Sequence, residues 1–146
     1  MEGHPTSFHI AIHARPAGLS AGAPVVLRDA TLRTLDVPEE LRFTPWHISF
    51  ESACERLNHL PRMFVEPDGA LVWVSTDDVH PRWQLDGNLW DRESRLLELE
   101  LKGQCTARAW EDLLDALQCD PLRLMIRLVR HGVFVEDAEF RRWAFG

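Results

Sequence analysis

The segment 76–82 brings together the side chains best suited to acid–base chemistry. Its sequence, Thr-Asp-Asp-Val-His-Pro-Arg, places Asp77, Asp78, His80 and Arg82 between two predicted strands. An imidazole beside carboxylates can act as a general acid or base, and a guanidinium can bind an anion. Polar residues are common in loops of any function, so the favoured interpretation of this segment is a solvated polar turn. The alternative is an active-site loop of a small enzyme that uses His80 with Asp77 or Asp78 for proton transfer.

Four alternating residues of the segment 83–90 indicate recognition of another molecule. Successive side chains of a strand point to opposite faces, so the following residues share one face. They are Gln84, Asp86, Asn88 and Trp90. Amides and a carboxylate can fix the orientation of a partner, and an indole supplies contact area of the kind enriched at interfaces. A polar face that only meets water is the alternative.

Acidic residues are concentrated in the middle of the chain. The formal net charge is −7, and residues 64–120 carry 13 acidic against 5 basic side chains. Glu98 and Glu100 alternate with leucines in a predicted strand, and Glu111 and Asp115 lie on the outer side of a predicted helix. Clustered Lys and Arg bind phosphate backbones, so this charge argues against nucleic acid as a partner. The negative field favours a basic protein instead.

The cysteines and histidines lack the spacing of a metal site. Cys54, Cys105 and Cys119 are odd in number and far apart, which matches neither a disulfide framework nor a zinc signature. His9 and His13 share one face of a predicted strand without an accompanying carboxylate, so we expect exposed strand histidines and no metal. Glycine-rich phosphate-binding loops do not occur in the sequence, and we expect no cofactor.

The start of the chain and its apolar runs indicate a cytoplasmic protein. Residues 1–5, Met-Glu-Gly-His-Pro, have neither the basic cluster nor the apolar stretch of a signal peptide. No apolar run approaches the roughly 18 residues needed to cross a bilayer. Unpaired cysteines agree with a reducing compartment. We therefore expect no contact with a membrane.

Hydrophobic periodicity predicts the elements that position these residues. Apolar side chains at three-and-four spacing, with Ser49 and Thr106 as caps, predict helices over about 50–59 and 106–118. Strands are predicted at 63–66, 70–75, 83–90, 96–102, 122–129 and 133–135, followed by a short helix capped by Asp137. Before these elements, alternation of apolar and polar residues predicts a strand at 7–14, and a short apolar run predicts another at 25–27.

This order predicts one α+β domain over residues 1–146. Hairpins favour a mainly antiparallel sheet of about five strands, with two longer helices and a short C-terminal helix packed on one face. Residues 1–42 form an N-terminal strand and loop segment whose place in the sheet stays open, and residues 43–146 form the main body.

Two functions remain open from the sequence. The first is a non-enzymatic acidic domain that binds a basic protein, such as an inhibitor or immunity-type module. The partner would contact the face of Gln84, Asp86, Asn88 and Trp90 together with the acidic side chains of 98–115. The second is a small cytoplasmic enzyme built on the loop of His80.

Overall fold

The computed structural model of the protein describes residues 6–146, which form eleven strands and three α-helices. The strands are β1 (Phe8–Ala14), β2 (Ser20–Ala21), β3 (Val25–Leu27), β4 (Ala30–Leu32), β5 (Leu35–Asp36), β6 (Met63–Val65), β7 (Ala70–Val74), β8 (Gln84–Arg92), β9 (Arg95–Gly103), β10 (Leu124–Leu128) and β11 (Val133–Glu136). The helices are α1 (Phe50–Leu57), α2 (Ala107–Ala116) and α3 (Asp137–Phe145). The predicted absence of a signal peptide rests on residues 1–5, which lie outside the described residues.

Nine strands form one antiparallel sheet in the order β2-β5-β11-β10-β1-β9-β8-β7-β6, and β3 and β4 form a separate two-stranded sheet. The hairpins β6–β7, β8–β9 and β10–β11 pair strands that follow each other in the chain. The N-terminal strand β1 joins them, because it pairs with β9 on one side and β10 on the other. Residues before Phe43 therefore supply the middle strand of the sheet.

The prediction of about five strands with two longer helices and one short helix is wrong. Strands β2 and β5 have two residues each, too few for an alternating pattern to be visible in the sequence. The helices have 8, 10 and 9 residues, so α3 is as long as the others. Helix α2 ends before its predicted limit because Gln118 adopts a positive φ of 54°, which stops helical hydrogen bonding. None of the helices in the described part of the chain is long and apolar enough to cross a membrane.

One face of the sheet packs against all three helices. On the sheet, the buried apolar side chains include Ile10, Ile12, Leu85, Leu89, Leu99 and Leu101. On the helices, they include Ala53, Leu57, Trp110, Leu113 and Phe140. Because side chains alternate along each strand, the residues between the buried ones are turned to the opposite face.

Local sequence explains where the helices begin. The Ser49 hydroxyl accepts a hydrogen bond from the Ser52 backbone N–H, and the Thr106 hydroxyl accepts one from Ala109. Such caps satisfy backbone donors that lack a partner inside the helix. Asp137 is not the predicted cap, because it is the first residue of α3. Its carboxylate accepts hydrogen bonds from the side chains of Trp110 and Arg141.

The chain between β5 and α1 crosses part of the opposite face. Val37 packs there with Met125 and Phe134 in a second, smaller apolar cluster. Further along, Trp46 has left this face and belongs to the main core, where its indole Nε1–H donates to the Leu97 backbone oxygen at 3.0 Å. This crossing covers the β10–β11 end of the face and leaves the β6–β9 end uncovered by any helix.

Candidate protein-binding surface

Side chains of β6–β9 that point away from the helices form a surface that we call the open face. It includes Phe64, Val72, Val74, Gln84, Asp86, Asn88, Trp90, Glu100 and Lys102. The register places them in rows, with Phe64 beside Val72 and Val72 beside Asp86. Phe64 is 62% exposed and Trp90 is 49% exposed, which is unusual for large aromatic side chains.

The Trp90 indole is held in place by a hydrogen bond. Its Nε1–H donates to Glu100 Oε1 at 3.0 Å, and His9 Nε2 lies 2.6 Å from the other carboxylate oxygen. Partial burial acts to raise the pKa of Glu100, but the hydrogen bonds from His9 and Trp90 outweigh it and lower that pKa. An ionised carboxylate therefore fixes an exposed aromatic ring, which reduces the entropy that a partner must remove on binding.

The four residues of the predicted recognition strand lie on one face, as their alternation requires. The Gln84 amide nitrogen donates to Asp86 Oδ1 at 3.1 Å, and the Asn88 amide nitrogen donates to the Leu89 backbone oxygen at 2.9 Å. Each of these side chains keeps unused acceptor or donor capacity toward solvent. Together with Trp90, they offer a partner both polar and apolar contacts.

Glu98 lies on the same side of the sheet but is buried. Its carboxylate accepts hydrogen bonds from Arg127 Nη2 at 3.2 and 3.4 Å, and His13 Nε2 lies 3.1 Å from Oε2. The other imidazole nitrogen of His13, Nδ1, donates to the Arg42 backbone oxygen at 2.7 Å. His13 therefore joins Glu98 and the sheet to the crossing segment, and a partner cannot reach Glu98 without rearrangement.

The expectation of exposed strand histidines was wrong. His13 is 1% exposed, and His9 and His13 each contact a glutamate of β9. The sequence did contain a signal for these contacts. Two histidines alternate along one strand and two glutamates along another, so each pair shares one face of its strand. Only the pairing of β1 with β9, which are separated by about 90 residues in sequence, brings them together.

Two other predicted binding residues lie on the opposite side of the molecule. Glu111 and Asp115 are exposed on α2, which packs on the helical face of the sheet. Glu111 Oε1 accepts from Arg141 Nη1 at 3.4 Å. One flat interface cannot include both these carboxylates and Trp90.

The polar side chains of the loop 76–82 contact each other and Arg62. Asp77 Oδ1 lies 3.0 Å from Arg62 Nη1 and 3.4 Å from Arg82 Nη2. A hydrogen bond from the Thr76 hydroxyl lowers the pKa of Asp78. His80 is exposed, and the cavity of about 140 Å³ beside this loop is lined by Thr76 and Val79 but not by His80. These contacts and exposures are those of a solvated polar turn.

The grouping of the titratable side chains and the state of the thiols can be described for residues 6–146. No group of three or more His, Cys, Asp or Glu side chains there is arranged to hold a metal ion. The thiols of Cys54, Cys105 and Cys119 are unpaired. Burial raises the pKa of Cys105 to about 12 and that of Cys119 to about 12, so both stay protonated at neutral pH.

The open face is thus an uncovered sheet surface with two exposed aromatic rings, one of them fixed, among acidic and amide groups. Comparison of the chain with protein-family models, with curated proteins and with solved structures gives no match.

Proposed function

We propose that the protein is a non-enzymatic binding domain whose open face contacts a protein partner with a basic surface. The observation that carries the proposal is the exposure of Phe64 and Trp90 on a sheet face that no helix covers. Interfaces typically combine aromatic anchors with a polar rim, and the open face has both. An inhibitor or immunity-type role would use such a surface.

Charge supports a partner rich in Arg or Lys. Asp86 and Glu100 are acceptors on the open face, where Lys102 is opposite Asp86, and the chain as a whole carries −7. Opposite charges on two proteins raise their association rate and fix their relative orientation. Salt would weaken this contribution, because exposed charges are screened over about 10 Å at 0.1 M ionic strength.

We also propose a reducing compartment, the cytoplasm, as the place of action. The three thiols form no disulfide, and burial keeps two of them unreactive. This location is consistent with the proposed role but does not depend on it.

The proposal can be tested with a partner isolated from the organism of origin. Immobilised protein is exposed to lysate at low salt, and the retained protein is purified so that Kd can be measured by calorimetry. Trp90→Ala and Phe64→Ala should each weaken binding by about 2 kcal/mol, or roughly thirtyfold, as expected for central aromatic anchors. Asp86→Lys should weaken binding most at low salt, because it replaces attraction by repulsion.

Substitutions on α2 provide the matched control. Asp115→Ala and Glu111→Ala alter exposed carboxylates on the helical side, so they should change Kd by less than roughly twofold. Thermal unfolding of every variant would confirm that the fold is retained. Failure to retain any protein at low salt, or equal losses in the α2 and open-face variants, would contradict the proposal.

A further inference from the structure

A cleft of about 640 Å³ lies at the end of the sheet where β1 begins and β9 ends. The turn that follows β10 and the hairpin of β3 and β4 form its other walls. Its volume is within the range of about 300–1,000 Å³ that is usual for small-molecule sites. Phe64 and Trp90 do not line the cleft, and Lys102 is the residue that borders both the cleft and the open face. The cleft therefore concerns a small ligand rather than the aromatic anchors of the proposed protein interface.

Positive side chains surround this cleft although the protein is acidic. Its positive side chains are Arg28, Lys102 and Arg130, and the described residues in its lining include no carboxylate. Among residues 6–146, these three make no ion pair within 4.0 Å. Three unpaired cations in one recess repel each other, and an anion would relieve that repulsion.

The cleft also has an apolar wall. Phe8, Leu27 and Leu128 contribute buried apolar surface, and Val26 is 67% exposed beside them. The Arg28 guanidinium lies over the Trp143 ring, 5.3 Å from its centroid. The Trp143 indole Nε1–H is buried and has no hydrogen-bond partner in the part of the chain that the structure describes. Because this nitrogen has no accessible surface, a ligand in the cleft would contact the indole ring and the Arg28 guanidinium rather than the N–H.

We propose that this cleft binds a small phosphate monoester with an aromatic or apolar body. A phosphate monoester carries up to two negative charges and three acceptor oxygens, which suits the two guanidiniums and the ammonium. A single carboxylate would leave more of the positive charge uncompensated. The apolar body would lie against the wall formed by Leu27 and Trp143.

The test uses phenyl phosphate as a probe with the full-length protein. Calorimetry at low salt should show saturable binding of one molecule per chain, and inorganic phosphate should bind more weakly because it lacks the apolar body. Arg130→Ala and Lys102→Ala should each weaken phenyl phosphate binding about tenfold, the usual effect of losing one hydrogen bond to a charged group. Trp143→Leu, which removes the aromatic ring beneath Arg28, should weaken it severalfold.

Arg92→Ala is the matched control, because it removes one exposed positive charge at the far end of the β8–β9 hairpin. It should leave phenyl phosphate binding within roughly twofold of wild type. Equal losses in Arg92→Ala and Arg130→Ala would show that only net charge matters and would overturn the proposal. Absence of saturable binding, or inorganic phosphate binding as tightly as phenyl phosphate, would overturn it too.

The outcome does not depend on the protein partner. No second protein is present in the measurement, and Trp90→Ala should bind phenyl phosphate like wild type. Loss of phosphate-monoester binding and loss of partner binding are therefore separate results.

Discussion

At the scale of single residues, the buried charges of this protein are held by specific partners. Asp137 is 4% exposed, and it accepts hydrogen bonds from Trp110 Nε1 at 2.8 Å and from Arg141 Nε at 2.7 Å. It thereby joins α2 to α3. Because an unpaired buried charge costs several kcal/mol, such contacts make the fold sensitive to the loss of either partner.

Glu139 gives the sharpest pH dependence that we expect. Its carboxylate accepts hydrogen bonds from Arg142 Nε at 3.2 Å and from the Arg33 backbone N–H at 2.6 Å. The contact with Arg142 and then that with Arg33 outweigh the effect of burial and lower the pKa of Glu139 from 4.5 to about 2. A carboxyl whose pKa is lower in the folded state stabilises the fold above its unfolded pKa, and this contribution is lost as the pH falls toward 2.

Glu139→Gln should therefore lower the free energy of unfolding by about 3 kcal/mol at pH 7 and by about 1 kcal/mol at pH 3. Urea unfolding at the two pH values would measure both differences. Glu111→Gln serves as the control, because Glu111 is exposed and its loss should change stability by less than about 0.5 kcal/mol at either pH. An equal effect of Glu139→Gln at pH 7 and pH 3 would contradict the assignment.

At the scale of elements, β8 connects the open face to the core. Its residues alternate between exposed polar side chains and buried leucines, and it pairs with β7 and β9. Gly87 lies in the middle of the strand, where a Cβ atom would meet the Glu100 backbone oxygen and would lie 2.9 Å from Leu101 Cδ2. The glycine allows a close approach of two strands, and the bulge in this hairpin lies elsewhere, between Trp90 and Asp91.

Gly87→Ala should destabilise the protein by about 1–3 kcal/mol, because the added methyl group forces β8 away from β9. Urea unfolding followed by tryptophan fluorescence would measure the loss. Gln84→Ala on the same strand is the control, since this exposed side chain should contribute less than about 0.5 kcal/mol. Wild-type stability of Gly87→Ala would show that the strands can separate at no cost.

At the scale of the whole molecule, the first strand is the middle of the sheet. Four strands lie on each side of β1, and its neighbours β9 and β10 come from the second half of the chain. Ile10 and Ile12 are completely buried in the main core. The chain must therefore bring its start and its end together before the sheet is complete, which makes the contact order high.

We accordingly expect a fragment of residues 43–146 not to fold, although its hairpins and helices are intact in sequence. Removing β1 would expose edges on β9 and β10 and a large part of the core. Near-ultraviolet circular dichroism would detect the missing tertiary structure, with full-length protein as the reference. Cooperative thermal unfolding of the fragment would contradict this expectation.

Local chemistry in the sequence was sufficient to predict much of the structure. Ser49 and Thr106 begin helices because a cap and its backbone donor are three residues apart. The shared face of Gln84, Asp86 and Trp90 follows from strand alternation, which depends only on neighbouring residues. These features required no knowledge of the rest of the chain.

Contacts between distant segments were decided only by the tertiary structure. Arg127 and His13 are 114 positions apart, and Glu98 is buried because both approach it across three strands. Glu98 alternates with leucines in the sequence, and this pattern predicted an exposed Glu98 side chain. The pattern contains no information about which segment covers that face of the sheet. The order of the nine strands could not be predicted from the sequence for the same reason. Strand order and burial depend on which strands pair, and pairing is a property of the whole chain.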